Sequence, residues 1–375
     1  MTSDSDLDIF LVTLPGLEDA LRAEAVEQGF RAPRIVPGGV TVRGGWTAVW
    51  RANLVLRGVS RVLARVGSFR AFHLAQLDKR ARRFPWADVL RPDVPVRVEA
   101  TCKGSRIYHA GAAAQRITRA IQEETGVPVS AEAAVAVKAR IENDVCTISI
   151  DTSGEPLHRR GHKEAVSKAP LRETMAAMFL RQCGFGAAMP VVDPMCGSGT
   201  FILEAADIAA GLVPGRSRAF AFEHLATFDP AAWADMRNAA GAPKAPPAEP
   251  RFFGSDRDAG AVRMSRENAE RAGVSAWTDF RQLTVSDVEP PEGTAPGLVM
   301  VNPPYGTRIG DRKTLTPLYR ALGRTLRERF AGWRVGLVTS DEALARSTDL
   351  PLEPAGPPVS HGGIRVTLYR SPPLA

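Results

Sequence analysis

The chain has 375 residues, of which 44% are apolar and 24% are charged, a composition typical of a globular protein with two or three domains. No stretch approaches the length of an apolar membrane span, and the N-terminal MTSDSDLDIF is unlike a signal peptide, so we expect a cytoplasmic protein with no membrane partner. The four cysteines are 44, 37 and 13 residues apart, which predicts neither a disulfide framework nor a metal site.

The net charge of +7 is concentrated in one part of the chain. Residues 31–119 contain 18 Lys or Arg and 4 Asp or Glu, a net charge of +14, whereas residues 164–375 contain 24 and 23. A basic surface that only keeps the protein in solution would account for a mild excess. An excess of this size favours a polyanionic partner, and nucleic acid is the hypothesis we adopt.

The first 155 residues predict an α+β region. IFLVTLPGLEDALRAEAVEQGF predicts a strand, a Pro-Gly turn and a helix that ends at a glycine. Residues 46–65 predict a strand followed by a helix, and KRARRFPW (79–86) is a basic cluster closed by aromatic residues. VPVRVEATC predicts a half-buried strand, AGAAAQRITRAIQEETG a helix that ends at Gly126, and VAVKARIENDVCTISIDTSG two strands joined around Asn143 and Asp144.

The pattern changes after about residue 155. APLRETMAAMFLRQCGF predicts a helix with Pro170 in its first turn and Gly184 after its end. The short apolar strands PVVDP, RFFGSD, TDFRQLTVSD, GLVMVNPP and WRVGLVTSD alternate with helical segments, which predicts a parallel, doubly wound α/β sheet with helices on both faces. GIRVTLYRS follows no helix and is predicted to join an edge antiparallel. Residues 207–250 predict a helical insertion that ends in a mobile loop.

The segment PVVDPMCGSGTF places Gly197 and Gly199 between a buried strand and a helix. Glycines allow a tight turn and a close approach of the backbone to a ligand, and the helix start offers free N–H groups. The loop lacks the third glycine of the dinucleotide fingerprint, since Ile202 stands there, and Asp193 would repel a pyrophosphate. The loop therefore suits a ligand that carries an amine and a carboxylate.

Two further acids end later strands of the predicted sheet. Asp256 ends RFFGSD, where an acid commonly holds the hydroxyls of a ribose, and Asp287 ends TDFRQLTVSD. Each acid alone could simply cap the following helix. Together with the glycine loop they line the carboxyl edge of an α/β sheet, and their order fits S-adenosyl-L-methionine: Asp193 near the amino group, Asp256 on the ribose and Asp287 near the adenine amine.

The stretch VMVNPPYGTR brings a strand to the same edge and then stops it. Proline fixes φ and donates no N–H, so the Pro303 carbonyl and the Asn302 side-chain oxygen can point outward as two acceptors for a planar NH₂ group. Tyr305 offers a stacking face for a base, a contact worth roughly 1–3 kcal/mol. The predicted chemistry is attack of an exocyclic amine on a sulfonium methyl group by positioning and electrostatics, without a metal or a nucleophilic cysteine. Taken alone, the motif would fit a strand-terminating turn.

These motifs together resemble one family. DPMCGSGTFILEAA, GSDRD, NPPYG and APLRETMAA look like the S-adenosylmethionine-dependent guanine-N2 methyltransferases of large-subunit ribosomal RNA, the RlmL type, which couple a THUMP domain to a Rossmann-like catalytic domain. SRIYHAGAAAQRI resembles THUMP, an RNA-binding module, and LHRRGHKEAVSKAPLRE resembles the connection into the catalytic domain. The resemblance covers nearly the whole chain. It implies a ferredoxin-like domain at 1–65, THUMP at 66–155 and a Rossmann-like methyltransferase domain with a mostly parallel sheet at 156–375.

The motifs, the basic clusters and the resemblance together give three sets of predicted site residues. The cofactor is contacted by Asp193, Pro194, Cys196, Gly197, Ser198, Gly199, Thr200, Asp256, Asp287 and Asn302. The target base is held by Asn302, Pro303, Pro304 and Tyr305. RNA is contacted by Arg80, Arg82, Arg83, Lys103, Arg106, Arg159, Arg160 and Lys163.

The sequence departs from the family in two places. The chain stops soon after RVTLYRS, without the second methyltransferase module of some members, so we expect a single modification, made by a monomer without a metal. HGGI stands where the family more often has an Asn-Gly pair, so His361 receives no role. The shorter form also resembles transfer-RNA guanine-N2 methyltransferases. Two other readings stay open: glutamine methylation of a protein, which the basic region disfavours, and an RNA-binding protein with a vestigial cofactor pocket.

Overall fold

The structure is a computed structural model that describes residues 6–163, 171–305 and 312–375. It divides into two compact units, each built from separated stretches of chain. The first unit contains the residues up to Thr13, Arg22–Leu157 and Arg218–Ala240. The second contains Leu14–Leu21, His158–Ser217 and Gly241–Ala375. Pro170, predicted in the first turn of a helix, lies outside the described residues.

Helices and strands are numbered in chain order through the described residues. The helices are α1 (Glu18–Glu27), α2 (Trp46–Val55), α3 (Leu74–Arg82), α4 (Ala110–Thr125), α5 (Glu173–Gln182), α6 (Thr200–Ala209), α7 (Pro230–Ala239), α8 (Ala259–Ala272), α9 (Arg312–Arg329) and α10 (Glu342–Arg346). The strands are β1 (Leu7–Val12), β2 (Arg31–Val36), β3 (Gly39–Gly44), β4 (Arg61–Arg70), β5 (Val96–Lys103), β6 (Val135–Glu142), β7 (Val145–Asp151), β8 (Val191–Asp193), β9 (Phe252–Asp256), β10 (Thr278–Gln282), β11 (Leu298–Val301), β12 (Arg334–Thr339), β13 (Glu353–Pro354), β14 (Val359–His361) and β15 (Ile364–Arg370).

The first unit is built on one continuous sheet. Its described strands run in the order β2-β3-β1-β4-β7-β6-β5, and the neighbours are antiparallel except for the parallel pair β5 and β6. The long strand β4 pairs with β1 on one side and with β7 on the other, with a register shift between Arg65 and Gly67. The predicted border between residues 65 and 66 therefore falls inside a strand, and the sheet is shared across it.

Several expected elements of this unit are confirmed. The helix α4 ends at Gly126, whose φ of 71° lies in the left-handed region that favours glycine. The strands β6 and β7 form an antiparallel hairpin whose turn residues Asn143 and Asp144 have φ values of 51° and 61°, the conformation of a two-residue turn with both central residues left-handed.

The prediction of a strand followed by a helix over residues 46–65 was wrong, because the order is reversed. The helix α2 comes first and buries Val49, Trp50 and Asn53, a helical spacing, and β4 follows with alternating burial from Arg61. The aromatic and β-branched residues of WTAVW favoured a strand by propensity, but packing of one helical face overrides that preference.

The predicted insertion contains the helix α7, and part of it packs in the first unit. The Asp229 side chain caps α7 by accepting from the N–H groups of its first turn. Phe222 stacks on Trp50 with ring centroids 5.9 Å apart, and its N–H donates to the Thr152 carbonyl at 3.1 Å. Residues 241–250, which follow α7, have no helix or strand.

The second unit contains the predicted doubly wound sheet. Its described strands run in the order β10-β9-β8-β11-β12-β15-β13, with β14 paired to β15. The strands from β10 to β12 are parallel to one another, and β15 joins β12 antiparallel as predicted. From β8 the chain first builds outward through β9 and β10 and then returns to place β11 on the other side. The border between β8 and β11 is therefore the switch point, where ligands bind in such sheets.

One strand of this sheet is shorter than predicted. The strand β10 ends at Gln282, and Asp287 lies five residues later in a turn. The apolar residues Leu283, Val285 and Val288 that suggested a longer strand instead belong to, or pack against, the buried cluster that includes α9 and β11. Among the described residues, no helix has the length and apolarity needed to cross a membrane.

Candidate active site

The glycine loop between β8 and α6 is held by its own geometry and by β9. Gly197 and Gly199 have φ values of 55° and 83°, which disfavour any other residue. A Cβ on Gly199 would lie 3.1 Å from the Ser265 hydroxyl, so the loop also packs too closely for a side chain. The Cys196 N–H donates to the Ser255 carbonyl at 2.9 Å. The loop is thus a fixed cradle of backbone atoms at the carboxyl end of β8.

Asp193 ends β8 and is only 2% exposed. Burial raises the pKa of its carboxyl well above the ordinary value; a hydrogen bond from the Met195 N–H at 3.0 Å opposes this rise, and the charge of Asp256 adds to it. A nearby positive charge favours the ionised form of such a carboxyl. Asp193 therefore fits the predicted role of receiving the amino group of a cofactor.

Asp256 stands at the end of β9 with its carboxylate held by the loop backbone. Its Oδ2 accepts from the Gly197 N–H at 3.1 Å and its Oδ1 accepts from the Asp258 N–H at 3.0 Å. Asp287 has different surroundings: it is exposed, and its Oδ2 accepts from the Thr284 hydroxyl at 2.7 Å. The structure therefore brings Asp256 to the glycine loop and places Asp287 on a separate turn, where its predicted contact with adenine stays a prediction.

The Asn-Pro-Pro-Tyr segment follows β11 at the same edge of the sheet as the glycine loop. The strands β11 and β8 are parallel neighbours, with Leu298 opposite Val191 and Val299 opposite Val192, so both deliver their carboxyl ends to one edge. The Asn302 side-chain oxygen is buried and accepts no hydrogen bond from the described residues. Leaving such an acceptor unpaired costs about 1–3 kcal/mol, so its placement is explained best by a donor from a ligand.

Pro304 is held from α9, and Tyr305 after it is buried. The Tyr319 hydroxyl lies 3.2 Å from the Pro304 carbonyl and 3.2 Å from the Thr339 hydroxyl, which anchors the segment to the core. Tyr305 is 8% exposed, and burial raises the pKa of its hydroxyl to about 12. The ring that was predicted to stack on a base is thus neutral and largely covered in this structure.

Comparison with known families decides what this arrangement belongs to. Residues 160–351 match the family described as an RMKL-like methyltransferase domain, and residues 8–63 match the RlmL ferredoxin-like domain. The chain belongs to the RMKL-like methyltransferases. The family resemblance and the fold expected from the sequence, a ferredoxin-like part followed by a Rossmann-like catalytic part, are confirmed.

Relatives and solved structures agree with this assignment. Slr0064 of Synechocystis sp., provisionally named an RNA methyltransferase, is 30% identical over 96% of this chain and 95% of its own length. Ribosomal RNA large subunit methyltransferase K/L of Marinomonas sp. is 33% identical over 100% of this chain and 54% of its own, so the chain spans about half the length of that relative. A protein of Listeria monocytogenes described as a predicted N6-adenine-specific DNA methylase has a TM-score of 0.84 at 28% identity, covering 98% and 97% of the two chains. SMU.472, solved with SAH, has a TM-score of 0.86 at 26% identity, covering 99% of each.

This RMKL-like methyltransferase uses S-adenosylmethionine, and its residues fit that cofactor. A buried carboxyl suits the cationic amine, the positive φ values of Gly197 and Gly199 give the tight turn of a ligand-binding loop, and Asp256 stands where a ribose hydroxyl binds in such sheets. The Cys196 thiol is buried and lies 3.8 Å from the Ser265 hydroxyl, so it packs inside the loop. Among the described residues no group of three or more His, Cys, Asp or Glu could hold a metal ion.

Two residues of the methyltransferase that were predicted to bind RNA are buried instead. The Arg160 side chain is 1% exposed and its Nε lies 3.0 Å from Glu204 Oε1, in α6. The Lys163 side chain is 4% exposed and its Nζ lies 2.7 Å from the Thr200 hydroxyl and 3.0 Å from Glu173 Oε1. Neither cation can reach a phosphate without abandoning a buried carboxylate, which is costly. The structure therefore removes Arg160 and Lys163 from the RNA surface and makes them supports of α6.

Sequence reasoning also missed a support on α8. The Asn268 amide donates to the Ser198 carbonyl at 3.2 Å, and Arg271 contacts the Asn268 side-chain oxygen and donates to the His162 carbonyl at 3.0 Å. RENAERA had the appearance of a solvated helix face, yet Asn268 is fully buried. The available signal was spacing, since the small residues Ser265 and Ala272 lie on the same helical face and are buried too.

The remaining RNA candidates differ in availability. Arg80, Arg83 and Arg159 are exposed, and the Lys103 and Arg106 side chains are 79% and 74% exposed. Arg82 is paired with three carboxylates: Asp78 at 2.9 Å, Glu123 at 2.5 Å and Glu124 at 3.1 Å. Its hydrogen bonds to these acids, of which the bond to Asp78 has the largest effect, raise the pKa of its guanidinium. These residues stay predictions for RNA contact, with Arg82 the least available.

Two further features of the catalytic unit lie apart from the loop. His361 is the last residue of β14. Burial lowers the pKa of its imidazole, and the positive charge of Arg172 lowers it further. The His361 Nδ1 atom is buried and forms no hydrogen bond with the described residues. A cleft of about 650 Å³ includes Leu298 and Arg334, the first residues of β11 and β12. The cleft lies at the amino ends of these strands, opposite the edge that carries the glycine loop, and we do not assign it to catalysis.

Proposed function

We propose that the protein transfers a methyl group from S-adenosylmethionine to the exocyclic N2 of a guanine in RNA, with 23S ribosomal RNA as the substrate, in the cytoplasm. The observation that carries the proposal is the buried Asn302 oxygen beside the switch point of the sheet, which accepts no hydrogen bond from the part of the chain that the structure describes. Such an acceptor suits one N–H of a planar amine. The cofactor, when bound, supplies a sulfonium methyl group that a nitrogen lone pair can take.

The chain's own residues position that amine. The Asn302 side-chain oxygen accepts a hydrogen bond from one N–H of the amine, and the Pro303 carbonyl accepts one from the other. After the transfer, the methylated nitrogen releases one of these two protons to solvent. Two such hydrogen bonds fix the plane of the NH₂ group and favour the change that frees the lone pair, so the enzyme contributes orientation and preorganised dipoles. The anchor from Tyr319 to the Pro304 carbonyl keeps this corner rigid.

Two observations support RNA as the substrate. The K/L relative is named for ribosomal RNA, and the net charge of +14 over residues 31–119 suits a polyanion. Residues 66–155 act in this proposal as the THUMP module. A glutamine side chain presents the same NH₂ group, but a protein substrate does not require the basic region.

The test uses tritiated S-adenosylmethionine with ribosomal RNA from cells that lack this protein. We expect label in N2-methylguanine of 23S RNA, and Asn302→Ala should lower the rate about 10²–10³-fold, the usual cost of one transition-state hydrogen bond, while binding the cofactor normally. Label in guanine of transfer RNA alone would move the substrate to that RNA. Label in adenine, in DNA or in protein would overturn the proposal.

A further inference from the structure

An exposed aromatic ring stands just before α4. Tyr108 is 85% exposed, and the other exposed large hydrophobic residues within the described ranges, Val26 and Ile35, are aliphatic. We propose that Tyr108 is a stacking platform for an unpaired base of RNA, with Lys103, at the end of β5, and Arg106, on the loop that follows it, for the phosphates. This inference rests on the proposed RNA methylation and specifies the form of RNA that the first unit recognises, a single strand.

The backbone on both sides of Tyr108 is held in place. The Arg106 N–H donates to Asp144 Oδ1 at 2.8 Å, which ties the loop to the β6–β7 turn. The Ile107 side chain, directly before Tyr108, is only 4% exposed and packs in the core. On the other side, the His109 side chain caps α4. A tyrosine on a fixed backbone has few torsions to lose, so a base that stacks on it gains contact at low entropic cost.

The charges on this loop suit a phosphate chain. Lys103 Nζ lies 3.6 Å from Glu142, and Arg106 Nε lies 4.0 Å from Asp144, while the two basic side chains are 79% and 74% exposed. Exposed pairs of this kind contribute little, so a phosphate can compete for the cations. The Arg106 guanidinium lies 5.2 Å from the centre of the Phe72 ring, which restrains its direction. The start of α4 adds a partial positive charge.

The combination of an exposed ring and neighbouring cations favours single-stranded over duplex RNA. In a duplex the bases already stack on one another, and a protein reads mainly the backbone and the minor groove. An unpaired base offers a free face, and stacking on aromatic side chains is how proteins bind single strands without strict sequence preference. Against the side of a duplex, the Tyr108 ring would find no free base face to stack on.

The experiment measures RNA binding by the full-length protein with fluorescence anisotropy. The probes are a short single-stranded oligoribonucleotide and a blunt-ended RNA duplex of the same length. Tyr108→Ala should weaken binding of the single strand by about fivefold or more and leave duplex binding unchanged. Tyr108→Phe keeps the ring and should bind like the wild type. Ile35→Ala, which shortens another exposed hydrophobic residue of the same unit, is the matched control and should change neither affinity.

The salt dependence separates stacking from charge. Tyr108→Ala should keep the wild-type slope of log affinity against log salt, because no phosphate contact is lost. The platform is excluded if Tyr108→Ala binds the single strand as tightly as the wild type, or if it loses the same factor on both probes. The methyl-transfer assay is read separately: a wild type that labels no RNA refutes the proposed function, whereas active transfer with unchanged Tyr108→Ala binding refutes only the platform.

Discussion

Two pairs of basic residues that were predicted to bind RNA, one pair in each unit, lie in opposite environments. In the first unit, the Lys103 and Arg106 side chains are 79% and 74% exposed. In the second, the Arg160 and Lys163 side chains are 1% and 4% exposed, and each is paired with a carboxylate. A charge count from sequence treats both kinds alike. Only the exposed kind can meet a phosphate without leaving an unpaired charge in the interior, so position within the fold decides which lysines and arginines can bind RNA.

Breaking the Arg160 pair should have the largest effect. Arg160→Met removes the cation that lies 3.0 Å from the buried Glu204 carboxylate, which should lower the free energy of unfolding by about 3–5 kcal/mol. Urea unfolding measures it. Arg159→Met, at the exposed neighbouring position, should change stability by less than about 0.5 kcal/mol. If Arg160→Met were as stable as the wild type but bound RNA with a shallower salt dependence, Arg160 would belong to the RNA surface after all.

Asp193 sharpens the comparison, because it is a buried carboxyl that has no cation at the distance of an ion pair among the described residues. Asp193→Asn should lower the affinity for S-adenosylhomocysteine roughly ten- to a hundredfold, the value of a hydrogen bond to a charged group, as measured by calorimetry. The same substitution should raise the melting temperature of the cofactor-free protein at neutral pH.

The pH dependence of that stability has a definite sign. The folded pKa of Asp193 lies above the unfolded value, so the stability that the protonated carboxyl contributes is present at low pH. It is lost as the pH rises from the ordinary pKa of an aspartate through the raised one. The difference in unfolding free energy between Asp193→Asn and the wild type should therefore vanish at acid pH and grow toward neutrality. A difference independent of pH would mean that the carboxyl is not shifted.

Lys163 should act on the cofactor and leave RNA binding alone. Its Nζ holds the Thr200 hydroxyl at 2.7 Å, at the first residue of α6. Lys163→Met should weaken cofactor binding roughly two- to tenfold, the value of one hydrogen bond, while the affinity for RNA stays at the wild-type level. Lys163→Arg keeps the charge and should recover part of the loss. A fall in RNA affinity with unchanged cofactor binding would restore the role expected from the sequence.

These buried supports show where sequence reasoning ends. The short apolar strands, the glycine loop and the Asn-Pro-Pro-Tyr segment follow from local patterns, because each is set by residues within about a dozen positions. The Arg160–Glu204 pair joins residues that are 44 positions apart, and the sequence around Arg160 does not indicate which acid it pairs with. The one retrospective signal is that the mostly apolar helix α6, TFILEAADIA, contains two acids, Glu204 and Asp207. The prediction of a strand before a helix at residues 46–65 failed for a similar reason, because the helix α2 is decided by which of its side chains pack in the core.

The arginines at the end of α3 test whether exposed arginines bind RNA and paired ones do not. Arg80 and Arg83 are exposed, whereas Arg82 contacts three acids of α3 and α4 (Asp78, Glu123 and Glu124). Arg80→Ala and Arg83→Ala should each lower the log–log salt slope for single-stranded RNA by about 0.7, the value for one lost phosphate contact. Arg82→Ala should leave that slope unchanged, because its guanidinium is already shared among carboxylates.

The contrary result would be informative about the pairing itself. If Arg82→Ala lowered the slope as much as its neighbours do, the guanidinium must exchange its carboxylates for phosphate when RNA binds. The acids would then repel the same backbone, so Glu123→Gln and Glu124→Gln should strengthen RNA binding in the wild-type background. With Arg82 held in its pairs, the same two substitutions should change the RNA affinity only through the weak, screened repulsion of exposed charges.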